Sequence, residues 1–350
     1  MMNIWWNQVT NAVQYVSEIK KSLLEEKSVL LKYSSSMPWR ECFEDSVKEA
    51  VKLQNSEKKF VEVPAVTNPG EYLLNEFCKK EKRAEYRPSK GYSKFFAESE
   101  DIVLHDRYLW IEIDDEECLE KWLSFASEYI KERGKNSNRA VFILEWAEEG
   151  QVPVKKGIKV YSFDDYIGEY DRLAFAVLAS SSIKEDIFLK NYLVELAINT
   201  TGNDIELCSE CVMGYKEFLK DPHAYIKTVL ESKTRSDGSE YSYDMAQDEV
   251  NHLIWLAQIK TIYPHLEEYR EEFVQRHANA ISRQLPIQAP YGEIYSDPKD
   301  VELGTLIYMA GSGSLVLNQN EYEKLKRFKE ARNKLSHLAT LTFEEIKQLL

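Results

Sequence analysis

An arginine and a histidine near the C-terminus have the spacing of a pair that could cleave RNA. Arg332 is followed directly by Asn333, and four residues separate Arg332 from His337. Histidine titrates near neutral pH and can take the proton of a 2′-hydroxyl, while arginine can hold the negative charge that develops on phosphate. The alternative is structural: His337 caps the end of a helix and Arg332 pairs with a nearby acid.

Two aspartates follow an apolar segment in the first half of the chain. Residues 108–113 read YLWIEI, which predicts a buried strand, and Asp114 and Asp115 come next. Carboxylates at the end of a strand can hold Mg²⁺ and orient a water during nucleotide hydrolysis. They suit equally well the N-cap and first turn of the following helix, where negative charge complements the helix dipole.

Nucleotide hydrolysis also needs a phosphate-binding loop, and the sequence lacks one where it is expected. A P-loop has the pattern G-x-x-x-x-G-K-[ST], whereas residues 34–40 read SSSMPWR, with bulky Trp39 where phosphates would lie. Arg40 is the one cation of this segment, at a predicted helix start that could hold an anion. Arg40, Asp114 and Asp115 are therefore the candidate nucleotide-binding residues, and hydrolysis is not expected.

Other kinds of chemistry have little support in the sequence. Cys208 and Cys211 form a single CxxC, but a structural zinc site generally needs four ligands and His223 is the one further candidate nearby. We therefore expect two ordinary cysteines, no metal and no cofactor. The motifs of serine hydrolases, zinc proteases, dehydrogenases and kinases do not occur in the sequence.

The composition narrows the class of protein. The chain has 350 residues, of which 43% are hydrophobic, enough for a sizeable core and about two domains. Its 45 basic and 59 acidic residues give a formal net charge of −14, which argues against general binding to nucleic acid or to an anionic membrane. Five cysteines without a framework spacing fit reduced thiols, and neither a membrane span nor a secretion signal is predicted. We expect a cytoplasmic protein.

The apolar pattern divides the chain into two parts. After a helix predicted over residues 3–26, strands and helices alternate up to about residue 165, which predicts a parallel sheet flanked by helices. The predicted strands are 28–33, 60–63, 108–113, 140–146 and 158–163. From about 166 to 285 only helical periodicity is present, with a break at Pro264. Residues 231–243 are predicted to form an exposed loop and residues 286–320 to be irregular, before two final helices.

We therefore predict two domains. An α/β domain covers residues 1–180, and a mostly α-helical domain covers residues 181–350.

Both halves resemble known protein families. The order of elements in the first half, with an acidic end to the third strand, resembles the core of P-loop ATPases of the AAA and STAND type without the Walker A loop. The Arg332-Asn-x-Leu-x-His337 run resembles the motif of HEPN-type helical domains, many of which cut RNA. That resemblance implies a dimer in which two motifs meet, with His337 transferring the proton and Arg332 holding phosphate. Together the halves resemble proteins of bacterial anti-phage defence islands, including components of BREX-type gene clusters.

Three functional hypotheses follow. The leading one is a non-catalytic scaffold subunit of a bacterial defence assembly, whose partners are other proteins. The second is a metal-independent ribonuclease that uses Arg332 and His337, forms a homodimer and contacts RNA through a local basic face. That face comprises Lys324, Lys326, Arg327, Lys329, Arg332 and Lys334. The third is a nucleotide sensor without hydrolysis, in which Arg40 and the adjacent helix N-terminus bind the anion.

Overall fold

The computed structural model describes residues 1–33, 37–100, 102–134, 138–147, 155–241, 243, 245–288 and 292–350. Positions 34–36, three serines of the segment where a P-loop would be expected, lie outside the described residues. The chain divides into two compact units, Met1–Phe175 and Ala176–Leu350.

A five-stranded parallel sheet forms the centre of the first unit, which confirms the fold predicted from the alternation of strands and helices. Its strands are β1 (Ser28–Lys32), β2 (Lys59–Glu62), β3 (Arg107–Ile113), β4 (Val141–Trp146) and β5 (Ile158–Ser162). They lie in the order β2-β3-β4-β1-β5. The middle strand β4 is buried along its whole length, as expected for a strand covered by helices on both faces.

Helices surround this sheet. They are α1 (Met2–Gln8), α2 (Thr10–Leu24), α3 (Arg40–Lys52), α4 (Pro69–Phe77), α5 (Lys80–Glu85), α6 (Tyr92–Glu98), α7 (Glu116–Arg133), α8 (Phe163–Tyr166) and α9 (Glu169–Ser180). The single helix predicted over residues 3–26 is wrong, because the chain is extended at Val9 and divides there into α1 and α2. The Val9 side chain is buried, so packing into the core accompanies the interruption.

The two faces of the sheet carry different side chains, since successive residues of a strand point to opposite sides. On one face Phe142 of β4 packs against Trp122 and Phe125 of α7, with ring centroids 6.5 and 6.0 Å apart. On the other face Trp110 of β3 packs against Phe43 of α3 at 6.3 Å. Glu145 of β4 lies on that second face, since it is two residues from Ile143, the residue paired with Trp110.

The second unit is mostly helical, as predicted. Its helices are α10 (Ile187–Thr200), α11 (Ile205–Met213), α12 (Tyr215–Lys220), α13 (Pro222–Ser232), α14 (Gln247–Arg276), α15 (Ala278–Ser282), α16 (Leu303–Gly311), α17 (Gln319–Ser336) and α18 (Phe343–Lys347). A short antiparallel hairpin joins β6 (Ile287–Gln288) and β7 (Ile294–Tyr295). None of the described helices combines the length and apolar character needed to span a bilayer.

Three expectations for the second unit need correction. The helix break predicted at Pro264 does not occur: α14 continues through this residue, and α10 and α17 pack along it. The region predicted to be irregular contains α16, whose apolar face is buried. The loop predicted over residues 231–243 begins later, because α13 extends to Ser232. Residues 231–240 are exposed except Arg235, which is buried in an ion pair with Asp204 and lies 3.8 Å from Glu206, and Tyr241 and Tyr243 are half-buried.

Candidate functional site

The candidate site lies at the carboxyl ends of β1 and β4, two neighbouring strands whose connections run to opposite edges of the sheet. The chain leaves β1 through α3 toward β2 at one edge, whereas the chain leaving β4 crosses to β5 at the other edge. Neighbouring strands whose connections run to opposite sides leave a crevice outside their carboxyl ends, and ligands of open parallel sheets bind there. Arg40, the first residue of α3, stands at this point.

Arg40 is held by three carboxylates. Its Nη2 lies 2.5 Å from Oε2 of Glu145, 2.9 Å from Oε2 of Glu112 and 3.0 Å from Oε1 of Glu44. Its Nε donates a second hydrogen bond to Glu145 Oε2 at 2.9 Å. The register of the sheet explains this convergence, because Glu145 lies beside Glu112 of β3 on one side and beside Leu31 of β1 on the other. The guanidinium is therefore engaged within the chain.

Glu145 is the most unusual ionisable residue of this site. Its side chain is 0% exposed. Burial raises the pKa of Glu145 to about 7, while the Arg40 guanidinium acts in the opposite direction. The Trp110 indole lies beside this carboxyl and, like Arg40, lowers the pKa of Glu145 through a hydrogen bond.

The entry to α3 is filled by packed side chains. Met37 is buried, and the Trp6 indole donates to the carbonyl of Pro38 at 3.1 Å. Trp39 adopts a left-handed backbone conformation with φ of 48°, and its ring packs against Phe175 with centroids 5.7 Å apart. The described part of this segment is thus packed against the aromatic core of the first unit.

A cleft of about 870 Å³ opens beside Arg40, along the carboxyl ends of β2 and β3 and the first turns of α3. We call it the edge cleft. Its lining consists of Arg40, Glu41, Glu44, Asp45, Lys48, Glu62, Val63, Pro64, Ala65, Trp110, Glu112 and Asp114. Six of these residues are acidic and two are basic. Lys48 bonds to Glu44 and Glu62, each at 3.1 Å, and lies 5.3 Å from the centre of the Trp110 ring. The surplus of carboxylates makes this cleft unfavourable for phosphate.

The structure places the two predicted aspartates in different roles. Asp114 is exposed and lines the edge cleft together with Arg40. Asp115 is the N-cap of α7, and its Oδ2 accepts a hydrogen bond of 2.7 Å from the backbone N–H of Cys118. Among the described residues, no group of three histidines, cysteines, aspartates or glutamates could hold a metal ion.

Arg332 and His337 project from different sides of α17. Five helical residues turn the side-chain direction by about 140° net, at ~100° per residue. Arg332 pairs with Glu267, Nε to Oε1 at 3.2 Å, and with Glu302, Nη2 to Oε2 at 2.8 Å. His337 is the exposed C-cap of α17, and its backbone N–H donates to the carbonyl of Asn333. Arg332 thus pairs with nearby acids, as in the structural alternative, whereas His337 makes its contact at the helix end through its backbone.

The local basic face is partly neutralised within the chain. Lys334 bonds to Glu345 at 2.5 Å, and Lys326 lies 4.0 Å from Glu330. Lys324 lies 5.5 Å from the ring centres of Tyr269 and Phe328.

The CxxC pair lies inside the second unit. Cys208 and Cys211 are both buried on α11, and burial raises the pKa of the Cys211 thiol. A thiol that resists ionisation is a poor metal ligand.

Sequence reasoning missed Glu145, although a signal was present. Residues 140–146 read AVFILEW, so Glu145 is the one charged residue of the most apolar predicted strand. A carboxylate on a strand buried on both faces needs a cationic partner or a raised pKa, and here it has both.

Comparison with known proteins adds little to this geometry. No protein-family model and no curated protein matches the sequence. The solved structure of Saccharomyces cerevisiae RIF2 is similar at 13% sequence identity with a TM-score of 0.27, over 66% of this chain and 90% of that chain. A TM-score of this size carries no argument about fold or function, so the candidate site stands on its own contacts.

Proposed function

We propose that this chain is a non-catalytic interaction subunit, built on a P-loop-ATPase-like domain whose phosphate site has been replaced by an internal ion pair. One observation carries the proposal. Arg40, the cation at the carboxyl ends of β1 and β4, is bound by Glu44, Glu112 and Glu145. A cation with three carboxylates at hydrogen-bonding distance has no charge to offer a nucleotide phosphate.

The strand order supports the ATPase-like part of the proposal. β4 lies between β1 and β3, so the strand before the sought phosphate loop and the strand before Asp114 are not neighbours. Both strands end at the same carboxyl edge of the parallel sheet, where open α/β sheets bind their ligands. The packed segment at Met37 to Trp39 and the acidic edge cleft support the loss of nucleotide binding.

The proposed partners are other proteins, and the proposed setting is a bacterial defence assembly. The setting rests on the sequence resemblance of the two halves. The interaction role, by contrast, has physical support. A domain that keeps the sheet but lacks the phosphate site still offers a rigid surface to which another protein can bind.

The ribonuclease alternative has less support. Its two candidate groups diverge around α17, and Arg332 already pairs with Glu267 and Glu302. A dimer in which His337 met a cation of the second copy would be needed to restore it. The nucleotide-sensor alternative is weakened by the same contacts of Arg40 that carry the leading proposal.

Two measurements test the proposal. Calorimetric titration of the full chain with Mg-ATP, Mg-ADP, Mg-GTP and cyclic nucleotides should give no binding heat. Affinity purification of the tagged chain from its native host, with and without nuclease, should recover a few stoichiometric proteins in both cases. Saturable binding of ATP would refute the proposal, and loss of all partners after nuclease treatment would favour the RNA-directed alternative.

A further inference from the structure

We propose that two copies of this chain pair through β5, an edge strand of the parallel sheet, so that one sheet runs through both copies. The inference goes beyond the proposed interaction role and does not depend on it. Two features carry it. They are the backbone groups that β5 turns away from the sheet and the order of charges along residues 155–165.

The pairing of β1 fixes which residues of β5 face outward. The amide of Tyr33, just after β1, donates to a carbonyl of β4, so the backbone groups of Leu30, three residues earlier, face β5 instead. Leu30 lies beside Val160, and in a parallel ladder it bonds to the residues on either side of that partner. The N–H and C=O groups of Ile158, Val160 and Ser162 therefore point away from β1.

The centre of this edge is open. The N–H of Ile158 is bonded to the carbonyl of Lys155 in the preceding turn, at 3.3 Å. By contrast, the N–H and C=O of Val160 bond to no backbone group in the described part of the chain. The Val160 side chain is 37% exposed. An edge strand with open backbone groups and an exposed apolar side chain is a template for another strand.

An antiparallel second copy centred on Val160 matches these groups. The two Val160 residues exchange both of their backbone hydrogen bonds, and the Ser162 N–H of each copy donates to the Ile158 carbonyl of the other. Lys159 then lies opposite Tyr161 of the second copy, so no two like charges face each other directly across the pair. Such a pair has the two-fold symmetry that most homodimers have.

The charges beyond the two ends of β5 are complementary in the same register. Residues 155–165 read KKGIKVYSFDD, with two lysines before the strand and two aspartates after it. The antiparallel pair places Lys155 opposite Asp165 of the second copy, and Lys156 opposite Asp164. Lys156 and both aspartates are exposed, and Lys155 is half-buried. Because opposite charges meet at both ends, the pattern favours a second copy of this chain over an unrelated strand.

The first test follows the mass of the full chain by sedimentation velocity at several concentrations, and we expect a monomer–dimer equilibrium. Val160→Pro removes an outward N–H and no internal hydrogen bond, so it should leave a folded monomer. Glu62→Pro is the matched control on β2, the opposite edge. The N–H of Val63 donates to the carbonyl of Trp110 in β3, so that of Glu62 also faces outward, and this variant should keep the dimer.

The second test changes the charges. Lys155→Glu with Lys156→Glu should weaken the dimer about tenfold or more, since attractive contacts become repulsive. Asp164→Lys with Asp165→Lys should weaken it similarly, although it changes the net charge in the opposite direction. A general repulsion between two acidic copies would weaken the dimer of the first variant and strengthen that of the second. All four substitutions together restore the attraction and should return the affinity to within about threefold of the wild type.

Circular dichroism shows whether each variant keeps its fold, and the charge variants remain informative if Val160→Pro does not fold. Three results would overturn the inference. They are a wild-type chain that stays monomeric at every concentration, a folded Val160→Pro that still dimerises, and a folded four-substitution variant that does not regain the dimer. None of them touches the proposed function, which fails instead on nucleotide binding or on the absence of other proteins from the purified assembly.

Discussion

Arg40 and Glu145 form an ion pair in which the partly exposed guanidinium neutralises a fully buried carboxylate. Arg40→Ala would leave the Glu145 carboxylate buried without its cation, and we expect a loss of about 3 to 5 kcal/mol in the free energy of unfolding. Replacing both residues, as Arg40→Met with Glu145→Leu, should restore most of that loss, because two apolar side chains of similar volume leave no buried charge. Denaturant unfolding of the single and double variants measures both. A double variant no more stable than Arg40→Ala would contradict this account.

The pKa of Glu145 gives the stability a specific pH dependence. Because burial raises this pKa from 4.5 to about 7, the folded chain binds the Glu145 proton more tightly than the unfolded chain does. The stabilisation from Glu145 is therefore complete below about pH 4.5 and is lost as the pH rises through about 7. Relative to Glu145→Gln, which does not titrate, the wild type should lose about 3 kcal/mol over this range.

Chemical denaturation from about pH 5 to about pH 8 measures that difference. Glu112→Gln is the matched control, since Glu112 contacts the same guanidinium from an exposed position. The effect of Glu112→Gln on stability should be smaller than that of Glu145→Gln, because solvent screens an exposed carboxylate. A flat difference for Glu145→Gln would show that the buried carboxylate keeps an ordinary pKa.

Elements of secondary structure also carry local strain that can be tested. Leu338 follows α17 with φ of 60°, a left-handed conformation that usually belongs to glycine at a helix end, and its side chain is 69% exposed. Leu338→Gly should stabilise the second unit by about 1 kcal/mol, since little packing is lost and the strain disappears. Leu53, 87% exposed in a right-handed conformation with φ of −61°, is the control, and Leu53→Gly should not stabilise the chain. Thermal unfolding compares the two.

For secondary structure, the sequence predicts the positions of strands more accurately than the ends of helices. The three inner strands, β1, β3 and β4, follow from short apolar runs, because a strand covered on both faces has no polar side to interrupt the run. The edge strands β2 and β5 have exposed residues and give shorter runs. Packing of other side chains against each helix decides the interruption at Val9 and the continuation of α14 through Pro264. The local sequence pattern does not report these tertiary contacts.

The candidate site was predicted only in part for a related reason. Arg40 and Asp114 were identified from the sequence and line one cleft, and Asp115 acts as the cap that was its alternative. Glu145 was missed because its role depends on strand order: only when β4 lies beside β1 does its carboxylate reach the start of α3. Strand order involves contacts about 100 residues apart in the chain, which periodicity does not report.

The whole molecule consists of two compact units whose boundary, between Phe175 and Ala176, falls inside α9. Phe175 is buried and packs against Trp5 of the same unit, so a fragment ending at residue 175 would lose the helix turns that support it. A fragment of residues 1–181, which keeps α9 complete, should unfold cooperatively in circular dichroism, whereas one of residues 1–166 should not. Similar unfolding of both fragments would show that α9 is dispensable for the first unit.

The long sequence separation between two tryptophans and their ring partners affects folding during synthesis. Trp5 and Trp6 are synthesised long before Phe163 and Phe175, which lie at the other end of the first unit in sequence and pack against their rings. Synthesis adds about 5 to 20 residues per second, so many seconds pass between synthesis of the two indoles and synthesis of the side chains that cover them. During that interval the nascent chain exposes two large apolar rings, so Trp5 and Trp6 offer a binding site to a chaperone at the ribosomal exit.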